Sequence, residues 1–163
     1  MKRGCFARTA AAVLLGLAAL AGAACAARGR PVLIVEDVTH QRVLHRGPVT
    51  PGDALVVSYV HSSEHVPVRG TFVVEADGAL RVEETAFAGF GPGLPEPVVG
   101  DAWRAENGMI VVSGTGARFP ELRLRVGPLT RHRLRTPSGE DLDLSALLGA
   151  GGSARISVVP QLR

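Results

Sequence analysis

Cysteine and lysine are almost absent from this chain. Its two cysteines, Cys5 and Cys25, and its single lysine, Lys2, all precede residue 28. The remaining stretch of roughly 135 residues is therefore expected to fold without a disulfide, held by a packed core of its own. Net charge is missing as well. Of 18 basic residues, Lys2, Arg3 and Arg8 lie at the extreme N-terminus, which leaves 15 arginines against 15 acids. That balance removes the bulk-charge argument for a nucleic-acid partner. Abundant Arg and Ala with no Lys reads as a high-GC coding bias rather than as function. No G-x-S-x-G nucleophile elbow occurs, and the Gly-rich stretch at 89–97 lacks the Lys-Ser/Thr and the helix of a phosphate loop. Neither an internal repeat nor a low-complexity linker follows residue 27.

What is present begins with an address. Met1 to Arg8 is basic without an acid, and Thr9 to Ala27 carries no charge through Ala-Ala-Ala-Val-Leu-Leu-Gly-Leu-Ala-Ala-Leu. A basic start, an apolar run and small residues at 22–26 make a secretory signal peptide. The rival is a retained anchor, since ~20 apolar residues span a bilayer. The weakly apolar alanines favour export. Cys25 is a candidate lipid acceptor, although Gly22 stands where a large aliphatic residue is usual. The expected organisation is a signal peptide or membrane anchor at 1–27 and one domain at 28–163, located in the periplasm or otherwise outside the cytoplasm.

Short apolar runs bounded by Gly, Pro, Asp or Ser recur at 32–35, 54–60, 66–76, 79–87, 109–112, 121–126, 131–136 and 155–159. Their spacing and β-branched content predict an all-β fold, an antiparallel β-sandwich or partly open barrel. One short helix is expected at 143–148, with Asp143 as N-cap and Gly149 past its end. Around Asp77-Gly78 a two-residue loop would mix the faces of the flanking strands. A three-residue loop, 76–78, pairs Phe72 with Val82 and Val74 with Leu80, with Gly78 left-handed. Leu55, Val57 and Tyr59 alternate with Val56 and Val60, the pattern of a central strand with His61 at or just past its end.

The densest polar cluster, His61-Ser62-Ser63-Glu64-His65, spells H-x-x-E-H. As a zincin motif it needs a helix that places both histidines on one face, and the valines before it and Pro67 after it leave no room for one. A loop metal site from His61, Glu64 and His65 stands against a plainer reading, a strand-end turn whose Ser and Glu groups bond exposed amides. The reading adopted assigns no metal, no cofactor and no catalytic residue. Ser62 or Ser63 beside a histidine is weak evidence for a hydrolase, because nucleophile and base usually come from separate segments. The Gly- and Pro-rich loop at 89–97 is expected either to wall a pocket across the His61 segment or to serve as a crossover between sheets.

Leu122-Arg123-Leu124-Arg125-Val126 and Arg131-His132-Arg133-Leu134-Arg135 flank Gly127-Pro128-Leu129-Thr130 and read as a second hairpin. Its outer face would carry Arg123, Arg125, Arg131, Arg133 and Arg135. Acids such as Glu75, Glu83, Glu140 or Asp141 would neutralise them, or the face would meet an anionic partner. His132 is expected to be a bonded, semi-buried side chain.

Tyr59-Val60-His61-Ser62, then Glu64 and Pro67-Val68, followed by Glu84-Thr85 and Phe90-Gly91-Pro92-Gly93-Leu94-Pro95, resembles a small bacterial domain-of-unknown-function family, family 1850. The likeness spans roughly 31–135, with order and spacing kept. One departure is Arg69-Gly70, where the family often has an acid. The resemblance implies an exported or membrane-attached protein associated with TAXI-type TRAP solute transporters. The expected partner is then the permease or its solute-binding protein, and the expected role a non-enzymatic accessory. A ligand- or metal-binding β-module is the alternative, and a hydrolase the third. Candidate contact residues are Tyr59, His61, Ser62, Glu64, Pro67, Phe90, Gly91, Gly93, Leu94 and Pro95.

Overall fold

Alternation of side chains builds the strands. In the segment Ala54–Val60, Leu55 and Val57 are buried while Val56 and Ser58 are half-buried, so one face of the strand enters the core. The computed structural model describes residues 29–92, 94 and 102–161. Its elements are β1 (Gly29–Asp37), β2 (Arg42–Pro48), β3 (Ala54–Val60), β4 (Pro67–Val74), β5 (Leu80–Phe87) and β6 (Ala102–Glu106). They continue with β7 (Met109–Ser113), β8 (Arg118–Phe119), β9 (Glu121–Arg125), β10 (Arg133–Arg135), β11 (Asp141–Asp143), helix α1 (Leu144–Leu148) and β12 (Ser153–Gln161). The expected leader at 1–27 lies outside the described residues, as do Cys25, Gly93 and Pro95. Among the described residues no helix is long and apolar enough to cross a membrane.

The strands form two antiparallel sheets. The smaller runs β2-β1-β12-β9, and the larger runs β11-β10-β3-β4-β5-β7-β6 with β8 also against β5. Leu33, Val35, Ile156 and Val158 from the smaller sheet cluster with Leu55, Val57, Val74, Leu80 and Leu134 from the larger. The protein is thus a β-sandwich, not a closed barrel. Each fully buried Leu or Ile contributes about 1.5–3 kcal/mol, so this shared core is the main source of stability. Across one edge His45 of β2 meets Glu140, in the turn between β10 and β11, at 2.9 Å.

The hairpin of β4 and β5 has the expected register, Phe72 opposite Val82 and Val74 opposite Leu80. Glu75 N–H donates to Ala79 O at 2.8 Å across the loop, and Gly78 takes φ 87°. On the opposite face Arg81 bonds Glu75 and Glu83, each at 2.6 Å. β3 is central, between β10 and β4. Helix α1 is capped as the sequence suggests: Ala146 N–H donates to Asp143 Oδ1 at 2.9 Å, and Gly149 has φ 70°.

The second expected hairpin does not form. β9 pairs with β12 in the smaller sheet, whereas β10 pairs with β3 and β11 in the larger. The chain between them crosses from one sheet to the other. Thr130 fixes this corner by donating its hydroxyl to Gly127 O at 3.1 Å and accepting Gly127 N–H at 2.8 Å. The five arginines therefore do not share one face. Arg123 pairs with Glu121 on the smaller sheet, and Arg133 with Asp141 and Asp143 on the larger.

Candidate functional site

β3 ends at Val60, whose N–H is taken by Thr130 O at 2.7 Å. The chain then reverses in a tight turn rather than a helix. His61 N–H donates to Val66 O at 2.8 Å, and His65 N–H to His61 O at 3.0 Å. His65 completes the reversal with φ 56°. Pro67 follows as the first residue of β4, opposite Val60, where its missing N–H does least harm.

The His61 ring is buried, with both nitrogens engaged. Glu64 N–H donates to Nδ1 at 3.3 Å. The ring proton consequently sits on Nε2, which donates to Pro92 O at 3.0 Å. A side chain at the end of β3 thus fastens its own turn and the Gly-Pro loop together. Gly91 makes the approach possible: a Cβ there would collide with Glu64 Cγ and stand 3.5 Å from His61 Cε1. Beneath the loop, Phe87 is fully buried and meets the exposed Phe90 edge to face at 5.6 Å. Leu94 packs against the small cluster of Val68, Phe87 and Val112, and its N–H donates to Gly91 O at 3.1 Å.

The hydroxyl in contact with the ring is that of Ser63, 3.2 Å from Nδ1 and also 3.2 Å from Glu64 Oε1. Ser62 is exposed and makes no such contact among the described residues. Residues two apart do meet here, because a turn rather than a strand separates them. Nδ1 already accepts the Glu64 amide, however, and Nε2 ends on a carbonyl rather than a carboxylate. The contacts hold a turn and do not align a proton relay. Among the described residues, no three His, Cys, Asp or Glu side chains group as a cation site.

Tyr59, one residue before Val60, stacks on His132 with ring centroids 5.1 Å apart and planes 13° from parallel. Burial raises the Tyr59 phenol's pKa and lowers that of the His132 imidazole, so both neutral forms are favoured. His132 Nδ1 lies 2.8 Å from Thr130 Oγ1, and its backbone N–H donates to Ser145 Oγ at 2.7 Å. His132 is thus bonded as the sequence suggests, though buried rather than semi-buried, and joins the sheet-crossing corner to α1.

A polar hub that the apolar pattern does not reveal lies at the end of β1. Asp37 is fully buried and accepts from Thr39 N and His40 N at 3.1 Å, from His40 Nδ1 at 2.8 Å and from Arg42 Nε at 3.0 Å. Burial pushes its carboxyl upward, but these donors outweigh it and hold the pKa at about 2. The Asp37 oxygen that takes the amide two residues on closes an Asx turn.

On the outer face of the larger sheet, two adjoining clefts of about 470 and 450 Å³ meet at Ser58 and Arg69. The model of the family described as "Domain of unknown function (DUF1850)" matches residues 55–144, from β3 through the start of α1. No curated protein and no solved structure matches the chain. The matched stretch holds the larger sheet apart from Ala54, yet Leu33, Val35, Ala154, Ile156 and Val158, which complete its core, lie outside the match.

Proposed function

The chain belongs to the DUF1850 family, whose match covers more than half of its length, and on that premise we propose that it is an exported, non-catalytic accessory component of a TAXI-type TRAP solute transporter. It acts outside the cytoplasm, by contact with the permease or its solute-binding protein. One observation carries the non-catalytic part of this reading: both ring nitrogens of His61 are committed to bonds within the chain, to Glu64 N and Pro92 O. A histidine so tied stiffens a surface and leaves no nitrogen for a substrate. The loop it holds presents Phe90, which is 54% exposed, an apolar ring of the kind that anchors protein contacts. Transporter and export are the expectations attached to the family resemblance and to the leader.

Solute uptake in cells with and without the gene tests the proposal, together with co-purification of the permease or binding protein. Reduced uptake and recovery of either partner are expected, with recovery lost in Phe90→Ser. Unchanged uptake with no partner recovered overturns it. N-terminal sequencing of the mature protein tests export, and a start at Met1 argues for a retained leader.

A further inference from the structure

The outer face of β10, β3 and β4 carries two arginines, Arg135 and Arg69, that form no ion pair among the described residues. Strand pairing sets Arg133, Ser58 and Arg69 in one row across β10, β3 and β4, and Arg135, Val56 and Thr71 in the next. Paired residues project from the same side of a sheet, so these side chains converge over a shared floor. Arg133 is held by Asp141 and Asp143. Among the described residues neither Arg69 nor Arg135 has an acidic partner, and both are exposed beside the cleft of about 450 Å³. Arg69 also borders the cleft of about 470 Å³, whose lining includes Val60, Pro67 and Met109. Each volume falls within the ~300–1,000 Å³ usual for small-molecule sites. Asp141, which stands opposite Arg135 and holds Arg133, also lines the cleft of about 450 Å³, and Glu106, Asn107 and Arg131 share the lining of the other. Two guanidiniums with no ion pair among the described residues, two hydroxyls below them and a partly apolar trough alongside suit a ligand with one charged end.

We propose that this trough binds a small organic anion, its carboxylate or phosphate head held by Arg69 and Arg135 over Ser58 and Thr71, its apolar stem lying along Val60, Pro67 and Met109. Guanidinium forks match both head groups in geometry and charge, and the exposed setting lets a ligand enter without rearrangement. The inference does not depend on the transporter association: it is read from purified protein, whereas that association is read from uptake in cells.

Isothermal titration calorimetry of the purified protein with hexanoate, hexyl phosphate, acetate, inorganic phosphate and hexanol tests it. Hexanoate or hexyl phosphate is expected to bind, more tightly than its head group alone and more tightly than hexanol. Preference between the two assigns the head as carboxylate or phosphate. Arg69→Gln and Arg135→Gln should each weaken binding about tenfold or more, the usual loss for an ionic hydrogen bond. Arg125→Gln, on the other sheet, should leave it unchanged. Both tested arginines are exposed, so the variants should fold. The proposal is overturned if no probe binds, if hexanol binds as well as hexanoate, or if neither trough variant weakens binding.

Discussion

Two polar turns close strands in this protein, and they solve the same problem with opposite chemistry. At the end of β1 a buried carboxylate, Asp37, gathers backbone and side-chain N–H groups, two of its donors belonging to His40 and Arg42 side chains. At the end of β3 an imidazole ring, His61, accepts one amide and donates to one carbonyl. Each turn also reaches a distant segment: Arg42 continues from Asp37 to Leu147 O of α1 at 2.7 Å, and His61 reaches Pro92. The Asp37 hub lies outside the family match and the His61 clasp inside it. The first is held by charge. The second is held by fit, and its weak point is the space that Gly91 leaves open.

The largest effect is expected at the charged hub. Asp37→Ala removes from a buried position the one acceptor that four N–H donors share, although the His40 and Arg42 side chains are themselves more than half exposed, and it should lower the urea midpoint more than any other single change considered below. Asp37→Asn isolates the charge. Because the folded pKa, about 2, lies below the ordinary 3.8, the stability this carboxylate adds is complete above 3.8 and is lost as pH falls from there toward about 2. Unfolding free energies measured from neutral pH down to that range should show an acid slope in the natural protein and a flatter one in Asp37→Asn. Equal slopes would mean that the hub is not what responds to acid. His132 adds a second, milder loss: its folded pKa is lowered from 6.5, so stability falls as pH drops below 6.5 and levels off below the folded pKa.

The histidine clasp should cost less to break. His61→Ala leaves the Glu64 amide and Pro92 carbonyl without their partner, and a loss of about 2 kcal/mol is expected in equilibrium unfolding. Ser63→Ala removes a contact at the turn's exposed rim and should cost about 0.5 kcal/mol. A Ser63 effect as large as that of His61 would contradict the view that the ring's two nitrogens organise the turn. It would bring the serine–histidine contact back into consideration.

Legibility in the sequence followed the apolar pattern. The register of β4 and β5 could be read because Phe72, Val74, Leu80 and Val82 cannot all face inward any other way. Helix α1 could be read from its capping residues. β2 and β6 could not, because they are largely exposed and lack an apolar face; Val43 is 56% exposed and β6 is exposed throughout. β6 did leave a signal in Asn107-Gly108, a two-residue turn with both residues at positive φ, 50° and 74°. The corner after β9 was misread because Leu-x-Leu patterns on either side fit a hairpin as well as a crossing. The decision rests on pairing with β12, remote in the chain. At the candidate site, the His61 segment is legible as a polar turn at the end of a strand. Which serine touches the ring is not, since that depends on dihedrals within the turn. Arg69 was noticed only as a departure from the family pattern, because its place in the row with Ser58 and Arg133 exists only once three strands have paired.

A similarly small effect is the sharpest test of the clasp. Gly91 does not lie at positive φ, so alanine suits its backbone, and the obstacle to a Cβ is the Glu64 side chain. Glu64 is exposed and flexible, so it can swing away, losing its contact with Ser63 and some conformational freedom. Gly91→Ala should therefore cost only about 0.5–1 kcal/mol in the natural background. In a Glu64→Ala background the obstacle is gone and the same substitution should cost close to nothing. The non-additivity of the double-mutant cycle measures the approach of the two segments directly. Additive effects would mean that the loop does not rest on the His61 turn in solution. Binding by a ligand or partner would then have to bring the two halves of the candidate surface together.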